Sequence, residues 1–432
     1  MKIKKIRVTN FKSFKDVKVD LEDISVVIGA NASGKSNFIQ IFKFLSDIAN
    51  FGLCNALSMQ GDVEFVRNIK IGSSENLNIR ITGEFAFRTF GRSENTEDVN
   101  YYGLEASEFD YEFSLGFNGK NGDFSIVKDS LTLNCRLNEL IFKPKDEEEG
   151  FTLQEEKPIG SCELILFQRK GKLSYELIIN EEEIRSRVGI ISIAGLEKEM
   201  LQGEVPFQSL LIENPHIFRG FANLDKLFRS ISIYDFDPKL PKNAVPFTGK
   251  RELEPNGSNL AIVLNNILQD KEKERKFINL ITDLLPFIKN YQVEKFADKY
   301  LMSKYCEKYS VDHYFPASLM SDGTINITAL IVALIFDEKP FIIIEEPERN
   351  IHPFLISKIL NIIREASEKK QIIITSHNPE LVRNADLNSI LLIARDEEGF
   401  SIIKKPQEKE EVKIFLKNEI GIEELFVQNL LG

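Results

Sequence analysis

Apolar and polar positions alternate with two periods along this chain, and the change from one to the other divides it. At the start, residues 2–9 and 17–21 alternate as two short strands joined by the turn 10–15. They lead into Ile24-Ser25-Val26-Val27-Ile28, an apolar β-branched strand, and then into helical spacing over 37–45 that continues to residue 48. Strand patterns follow at 77–87, 108–117, 124–133, 163–168 and 173–179, broken by Asn-Gly, Gly or charged residues. Such a series predicts a largely antiparallel sheet. The acidic run 143–156 reads as an exposed loop whose charge is solvated.

From about residue 181 the period becomes helical. Short helices are expected at 182–187, 206–212 and 222–231, and longer ones at 259–269 and 272–285, the last ended by Pro286. No heptad pattern is sustained, so a long coiled-coil arm is not expected. Strands resume at 291–296 and 300–305, and an apolar helix is expected at 328–336. The division expected is an α/β lobe I over 1–180, a helical insertion over 181–290 and a lobe II over 291–432. No internal repeat is visible.

The richest chemistry follows the third strand. Gly29, Gly34, Lys35 and Ser36 fit G-x-x-x-x-G-K-[ST], set between a strand and a helix as a phosphate-binding loop requires. Backbone N–H groups and the helix N-terminus favour an anion there. Lys35 is expected to reach the β- and γ-phosphates of ATP, and the Ser36 hydroxyl to hold Mg²⁺. Asn31 and Asn37, in and beside the loop, join the nucleotide-contacting set. Phe341-Ile342-Ile343-Ile344-Glu345-Glu346 is an apolar strand ending in two carboxylates. A buried parallel strand delivers such an end to the ligand edge of its sheet. Alternation sends the two carboxylates to different faces, so Glu345 is assigned to Mg²⁺ and Glu346 to the attacking water, a role worth roughly 10²–10⁴-fold. Gln371-Ile372-Ile373-Ile374-Thr375-Ser376-His377 repeats the plan, with His377 expected beside the γ-phosphate. His216 and His313 have no such setting and read as structural. Ser321-Asp322-Gly323 before the 328–336 helix describes an ordinary N-cap; its place some 20 residues before the carboxylate strand also suits a second phosphate-binding helix end.

In this order the motifs resemble the ABC-type ATPase heads of the RecF, SMC and OLD group, and most of all compact prokaryotic ATPases without long arms. The opening Val8-Thr9-Asn10-Phe11-Lys12-Ser13-Phe14, the run from Glu345 to Pro353, the stretch 253–260 and the ending 421–432 share the likeness, while 62–247 shares little of it. The resemblance implies an ABC-type head with an antiparallel lobe. It makes Ser321 and Gly323 a signature that closes over a partner subunit's γ-phosphate, and Asn350-Ile351-His352 a loop crossing a dimer interface. It also makes Gln60 a sensor glutamine on the metal. Glu345 stands where most such proteins carry aspartate, and Asp322 replaces a usual glycine. No Toprim-like nuclease pattern follows His377, and Glu380, Asp386 and Asp396 read as loop charge.

The bulk figures narrow the rest. A net charge of −11 argues against a general nucleic-acid coat, though not against a local basic groove. Four scattered cysteines without a C-x-x-C pair argue against a disulfide framework or zinc site and suit a reducing cytoplasm. No signal-peptide core follows the basic start, and the apolar run 327–336 is far below the ~20 residues that cross a bilayer. The expectation is a soluble cytoplasmic ATPase with slow hydrolysis. It would use ATP-gated homodimerisation to control a separate effector protein, as in anti-phage defence. A RecF-like DNA-binding repair protein and a non-hydrolysing ATP-bound scaffold remain the alternatives.

Overall fold

The structure, a computed structural model, describes residues 1–93, 100–118, 123–144, 151–169, 171–188, 191–193, 208–310 and 312–406. The run 421–432 and part of the helix expected at 206–212 lie outside them. The chain divides into two compact units, each assembled from separated stretches. Unit 1 comprises 1–21, 40–230 and 396–402; unit 2 comprises 22–39, 231–395 and 403–432.

Strands β1 (Lys2–Phe11), β2 (Phe14–Asp20) and β3 (Ile24–Ile28) open the chain, followed by helix α1 (Lys35–Phe51), within which the chain passes from unit 2 to unit 1. Helices α2 (Leu53–Met59) and α3 (Val63–Val66) precede the long strands β4 (Leu77–Ser93), β5 (Tyr101–Asn118), β6 (Asp123–Pro144), β7 (Phe151–Arg169) and β8 (Lys172–Ile179). Helix α4 (Glu182–Val188), β9 (Ile191–Ile193) and α5 (Arg219–Arg229) complete unit 1. Its sheet runs β2-β1-β4-β5-β6-β7-β8, with β9 on β4, and these pairings are antiparallel. The strict alternation of β4, with Leu77, Ile79 and Ile81 buried between more exposed neighbours, is the half-buried pattern that predicts such a sheet. The acidic stretch expected as a loop is in part strand: Phe151 pairs with Pro144 and Glu155 with Ile141. Glu155 and Glu156 therefore stand on strand β7, a register that a charge count does not reveal, while 145–150 lie outside the described residues.

One buried carboxylate ties the chain after β9 to this sheet. Asp129 on β6 accepts from the Tyr111 hydroxyl at 2.8 Å, the Leu211 N–H at 2.7 Å and the Gln168 amide at 2.5 Å. Glu213 accepts from the Leu210 and Leu53 N–H groups at 2.6 and 3.1 Å. Phe228 of α5 lies against Tyr111, with ring centroids 6.4 Å apart.

In unit 2, β10 (Ile231–Tyr234), β11 (Val245–Pro246), α6 (Leu260–Ile267), α7 (Lys271–Leu284), β12 (Ile288–Phe296), β13 (Tyr300–Glu307) and β14 (Tyr314–Pro316) precede α8 (Asp322–Ile331). A π-helical turn, Val332–Phe336, extends α8. Then come β15 (Phe341–Glu345), α9 (Ile356–Ser367), β16 (Gln371–Ser376), α10 (Pro379–Asn384) and β17 (Ile390–Arg395); β18 (Ser401–Lys404) follows, with the chain passing from unit 1 back to unit 2 within it. The central sheet has the order β10-β15-β16-β3-β17-β18, and the pairings from β10 to β17 are parallel. Both faces are buried: Ile342, Ile344, Ile372 and Ile374 join one apolar core with Ile325, Leu330, Ile359 and Ile363 of α8 and α9, and Ile343 and Ile373, which alternate to the opposite face, are fully buried as well. That explains why these strands read as continuous apolar runs. Strand β10 begins where helical spacing was expected to continue, because Ile231, Ser232 and Tyr234 are buried against β15 and the local period loses to pairing.

Burial pushes the Asp129 carboxyl up to about 7, against the pull of its donors from Leu211, Tyr111 and Gln168, and pushes Glu213 up as well. An acid whose folded pKa is raised contributes most below its unfolded value, about 3.9 for Asp, and that contribution is lost as pH rises through the folded value. Stability should therefore fall between about pH 4 and about pH 7, and Asp129→Asn should flatten the fall. Urea denaturation of both proteins at about pH 5 and about pH 8 checks this. An equal slope in the variant would remove Asp129 as its source.

Candidate active site at the carboxyl edge of the parallel sheet

Register decides which residues meet. Tyr234 pairs with Ile344, Ile344 with Ile374 and Ile374 with Val26; Ser376 pairs with Ile28. The residues just beyond these strands therefore emerge side by side: Asp235 after β10, Glu345-Glu346 at the end of β15, Ser376-His377 at the end of β16 and Gly29 after β3. Strand β3, early in the chain, lies between the late strands β16 and β17, so the loop sits where strand order reverses, the usual ligand position in an open α/β sheet.

The loop after β3 is tightly held. A Cβ on Gly29 would stand 2.3 Å from the Ile393 carbonyl oxygen of β17, which leaves room for glycine alone. Ala32 and Gly34 take positive φ values of 63° and 120° and curl the chain into α1. Lys35 donates to the Gly29 and Ala30 carbonyls at 2.7 and 3.1 Å, and Arg395 Nε donates to the Ala32 carbonyl at 3.1 Å. Burial lowers the Lys35 pKa, while Glu346 and Glu348 act in the opposite direction, so both carboxylates are felt at the ammonium. Asn31 and Ser36 are exposed and Asn37 is half-buried.

A helix N-terminus behind a curled loop, with an ammonium lying on that loop, is a donor set that fits the phosphates of ATP. For Mg²⁺ the Ser36 hydroxyl and the half-buried Glu345 carboxylate offer the oxygen ligands a hard cation takes. Gln60 belongs to unit 1, where it caps the C-terminus of α2 and its side chain hydrogen-bonds Asp47.

Glu346 is the most constrained residue of the site. Its φ is 44°, left-handed, and its N–H donates to the Thr375 carbonyl at 3.1 Å. That turn brings Oε1 to 2.6 Å from His377 Nδ1 and Oε2 to 3.1 and 3.3 Å from Arg349 Nη2 and Nε. Arg349 also donates through Nη1 to Asp235 at 2.9 Å. Burial raises the Glu346 carboxyl, but Arg349 and His377 outweigh it, and the net shift is downward. An ionised carboxylate only accepts, so His377 carries its proton on Nδ1. Glu348, 6% exposed, accepts from the Ser376 hydroxyl through Oε1, and its pKa is raised by burial. The Ser376 hydroxyl in turn accepts from the Asn378 N–H at 2.9 Å.

The local geometry at Ser321 is that of an N-cap: Oγ accepts from the Thr324 N–H at 3.2 Å, and the residue is exposed. The helix it caps reaches the carboxylate turn. Asn326 donates to the Arg349 carbonyl at 2.6 Å, and a Cβ on Gly323 would stand 2.5 Å from the Asn350 carbonyl oxygen. Asn350, with φ 62°, and His352, which caps the short helix Pro353–Leu355, continue the same turn.

Sequence reasoning missed Asp235, Arg349 and Glu348 as site residues. The last two were visible in the run from Glu345 to Pro353. Asp235 was hidden because its strand has four residues and adjoins a helix.

A parallel sheet with a phosphate loop at its switch point, flanked by strand-end carboxylates and a histidine, defines the class of P-loop ATPase domains. Residues 139–383 match the family model described as "AAA domain, putative AbiEii toxin, Type IV TA system", and residues 1–193 match an AAA ATPase domain model. The first match spans more than half of the chain, and the chain belongs to that family. No curated protein matches it. Among solved structures, an SMC head bound to the C-winged helix domain of ScpA is 14% identical with a TM-score of 0.49, the match covering 94% of this chain and 98% of that one. The SMC head domain from Thermotoga maritima is 15% identical with a TM-score of 0.37, over 94% and 99%. An SMC head with an extended coiled coil, bound to the C-terminal domain of ScpA derived from Pyrococcus furiosus, is 14% identical with a TM-score of 0.41, over 96% and 99%. Among the described residues no helix is long and apolar enough to cross a membrane.

The close approach of Gly323 to Asn350 gives a direct expectation. Gly323→Ala should force the helix end and the turn apart and cost about 1–3 kcal/mol. Denaturant titration of the variant measures it; wild-type stability would mean that the turn yields freely.

Proposed function

We propose that this chain binds ATP with Mg²⁺ and hydrolyses it, and that the nucleotide state governs association with a second copy and thereby a partner effector. The observation that carries the reading is the convergence of Lys35, Glu346 and His377 on one sheet edge, with Glu346 ionised and both its oxygens held by donors. Lys35 and the N-terminus of α1 would bind and orient the phosphates, and Ser36 and Glu345 would hold the metal. Bound Mg²⁺ supplies charge neutralisation on the phosphate oxygens. Glu346 would orient water and accept its proton, and His377 would hold Glu346 through Nδ1 and donate or accept at Nε2 near the terminal phosphate. Asn31 and Asn37 would contact the nucleotide from the loop and the start of α1.

Exposed Ser321 and the glycine behind it would complete the site of a neighbouring copy with a helix N-terminus. The family description names a toxin–antitoxin system, which supports a separate protein partner, with defence as its setting. A cytoplasmic location agrees with this role.

Lys35→Ala should lose most ATP affinity in equilibrium binding of a labelled analogue while remaining folded. Glu346→Gln should keep the affinity and lose steady-state hydrolysis by roughly 10²–10⁴-fold. Wild-type turnover in Glu346→Gln would remove it from the chemistry and favour a scaffold that only binds ATP. Mixing Lys35→Ala with Ser321→Arg should restore single-turnover cleavage, since a mixed dimer holds one site with both residues intact. No recovery, with mixed dimers confirmed by mass, would place Ser321 in its own chain's site or in none.

A further inference from the structure

We propose that Arg349 is a positioning residue for Glu346, a latch anchored on Asp235 of the neighbouring strand end that holds the carboxylate in its water-accepting orientation. The inference rests on the reading of Glu346 as the base, but its geometry stands on its own. Arg349 presents a fork: Nη2 and Nε to Glu346 Oε2 at 3.1 and 3.3 Å, and Nη1 to Asp235 Oδ1 at 2.9 Å. Nη1 also reaches the Phe236 carbonyl at 3.5 Å.

A guanidinium held at both ends by carboxylates on adjacent strands has little freedom to rotate, and its planar donors fix the carboxylate plane as an ammonium would not. The backbone of Arg349 is fixed as well. Its N–H donates to the Glu346 carbonyl at 2.9 Å, and its carbonyl accepts from Asn326 at 2.6 Å. The carboxylate thus has one oxygen on Arg349 and the other on His377.

Five further groups face Glu346: His377 and Thr375 from β16, Lys35 from α1, and Glu348 and Arg349 from its own turn. Asp235 acts through Arg349 from β10. Of the cations, Arg349 alone is tied to a second carboxylate by a hydrogen bond of its own, and that makes it the part that sets orientation. The remaining cations, Lys35 and His377, have their own places in the phosphate loop and beside the reacting group.

The test begins without nucleotide. The His377 ring is followed by NMR through a pH titration of the full chain, its signal identified among the four histidines by its loss in His377→Gln. Arg349→Gln removes a neighbouring positive charge and leaves Glu346 to His377, so the His377 titration should move to higher pH. Arg349→Lys should return most of the way to wild type. In Asp235→Asn the Arg349 Nε–H should exchange with water faster than in wild type. An unmoved His377 titration in folded Arg349→Gln, or unchanged Nε–H exchange in Asp235→Asn, overturns the latch.

Turnover supplies the second readout. In both Arg349→Gln and Arg349→Lys kcat should fall with KM for ATP retained, since neither replacement supplies the planar fork. Wild-type kcat in Arg349→Lys, which keeps the charge without the fork, also overturns the proposal, as does a rise of KM in step with the fall of kcat. If wild-type protein does not turn ATP over, the hydrolytic reading fails, and the His377 titration still decides the latch.

Discussion

One hydrogen bond, from the Glu346 N–H to the Thr375 carbonyl at 3.1 Å, shapes the site. It extends the β15–β16 ladder one residue past the strand, at the point where the backbone swings to φ 44°. A non-glycine residue held left-handed costs on the order of 1–3 kcal/mol, and such strain persists where surrounding contacts over-determine it. Here they do: the backbone bond fixes the peptide, His377 fixes one carboxylate oxygen and Arg349 the other. Without the swing, Glu346 would continue the pleat and point away from one of its two partners. The carboxylate's low pKa therefore follows from backbone geometry as much as from the nearby charges.

The same turn connects the carboxylate with the helix that Ser321 caps. The Asn350 carbonyl stands so close to Gly323 that no side chain fits between them, and the Asn326 amide holds the Arg349 carbonyl. A displacement of the N-terminal end of α8 has to move Asn350 and Arg349 together, because packed backbone transmits a shift instead of absorbing it. What touches Ser321 is thus mechanically joined to the orientation of Glu346, within one unit and through named contacts.

Much of this could be read in the sequence, for a physical reason. The three central strands are buried on both faces, so Val26–Ile28, Phe341–Ile344 and Ile372–Ile374 are apolar without interruption, and each is followed by polar residues that must lie at an edge. The phosphate loop is equally plain, since its glycine at position 29 answers to a carbonyl on β17. Asp235 was not readable. Its importance comes from the pairing of Tyr234 with Ile344, a relation between segments over a hundred residues apart that no local period records. Arg349, inside the run from Glu345 to Pro353, received no role of its own because a guanidinium's role depends on where its two carboxylates arrive. The apolar run Ile390–Ala394, by contrast, did carry a strand signal that went unused.

Strand β3 has a consequence for how the protein is made. Its neighbours in the sheet are β16 and β17, and the Gln371 side chain closes on the Glu22 carbonyl across 349 residues of chain. A ribosome adding about 5–20 residues per second leaves the phosphate-loop strand without its sheet partners for some tens of seconds. During that interval Ser25–Ile28, buried in the finished molecule, is an open apolar edge. The most distant pairing in the sheet is also the one that builds the nucleotide loop, so the order of synthesis makes the binding site one of the last parts to form. Its maturation on the ribosome therefore depends on whatever shields those few residues until the C-terminal third of the chain emerges.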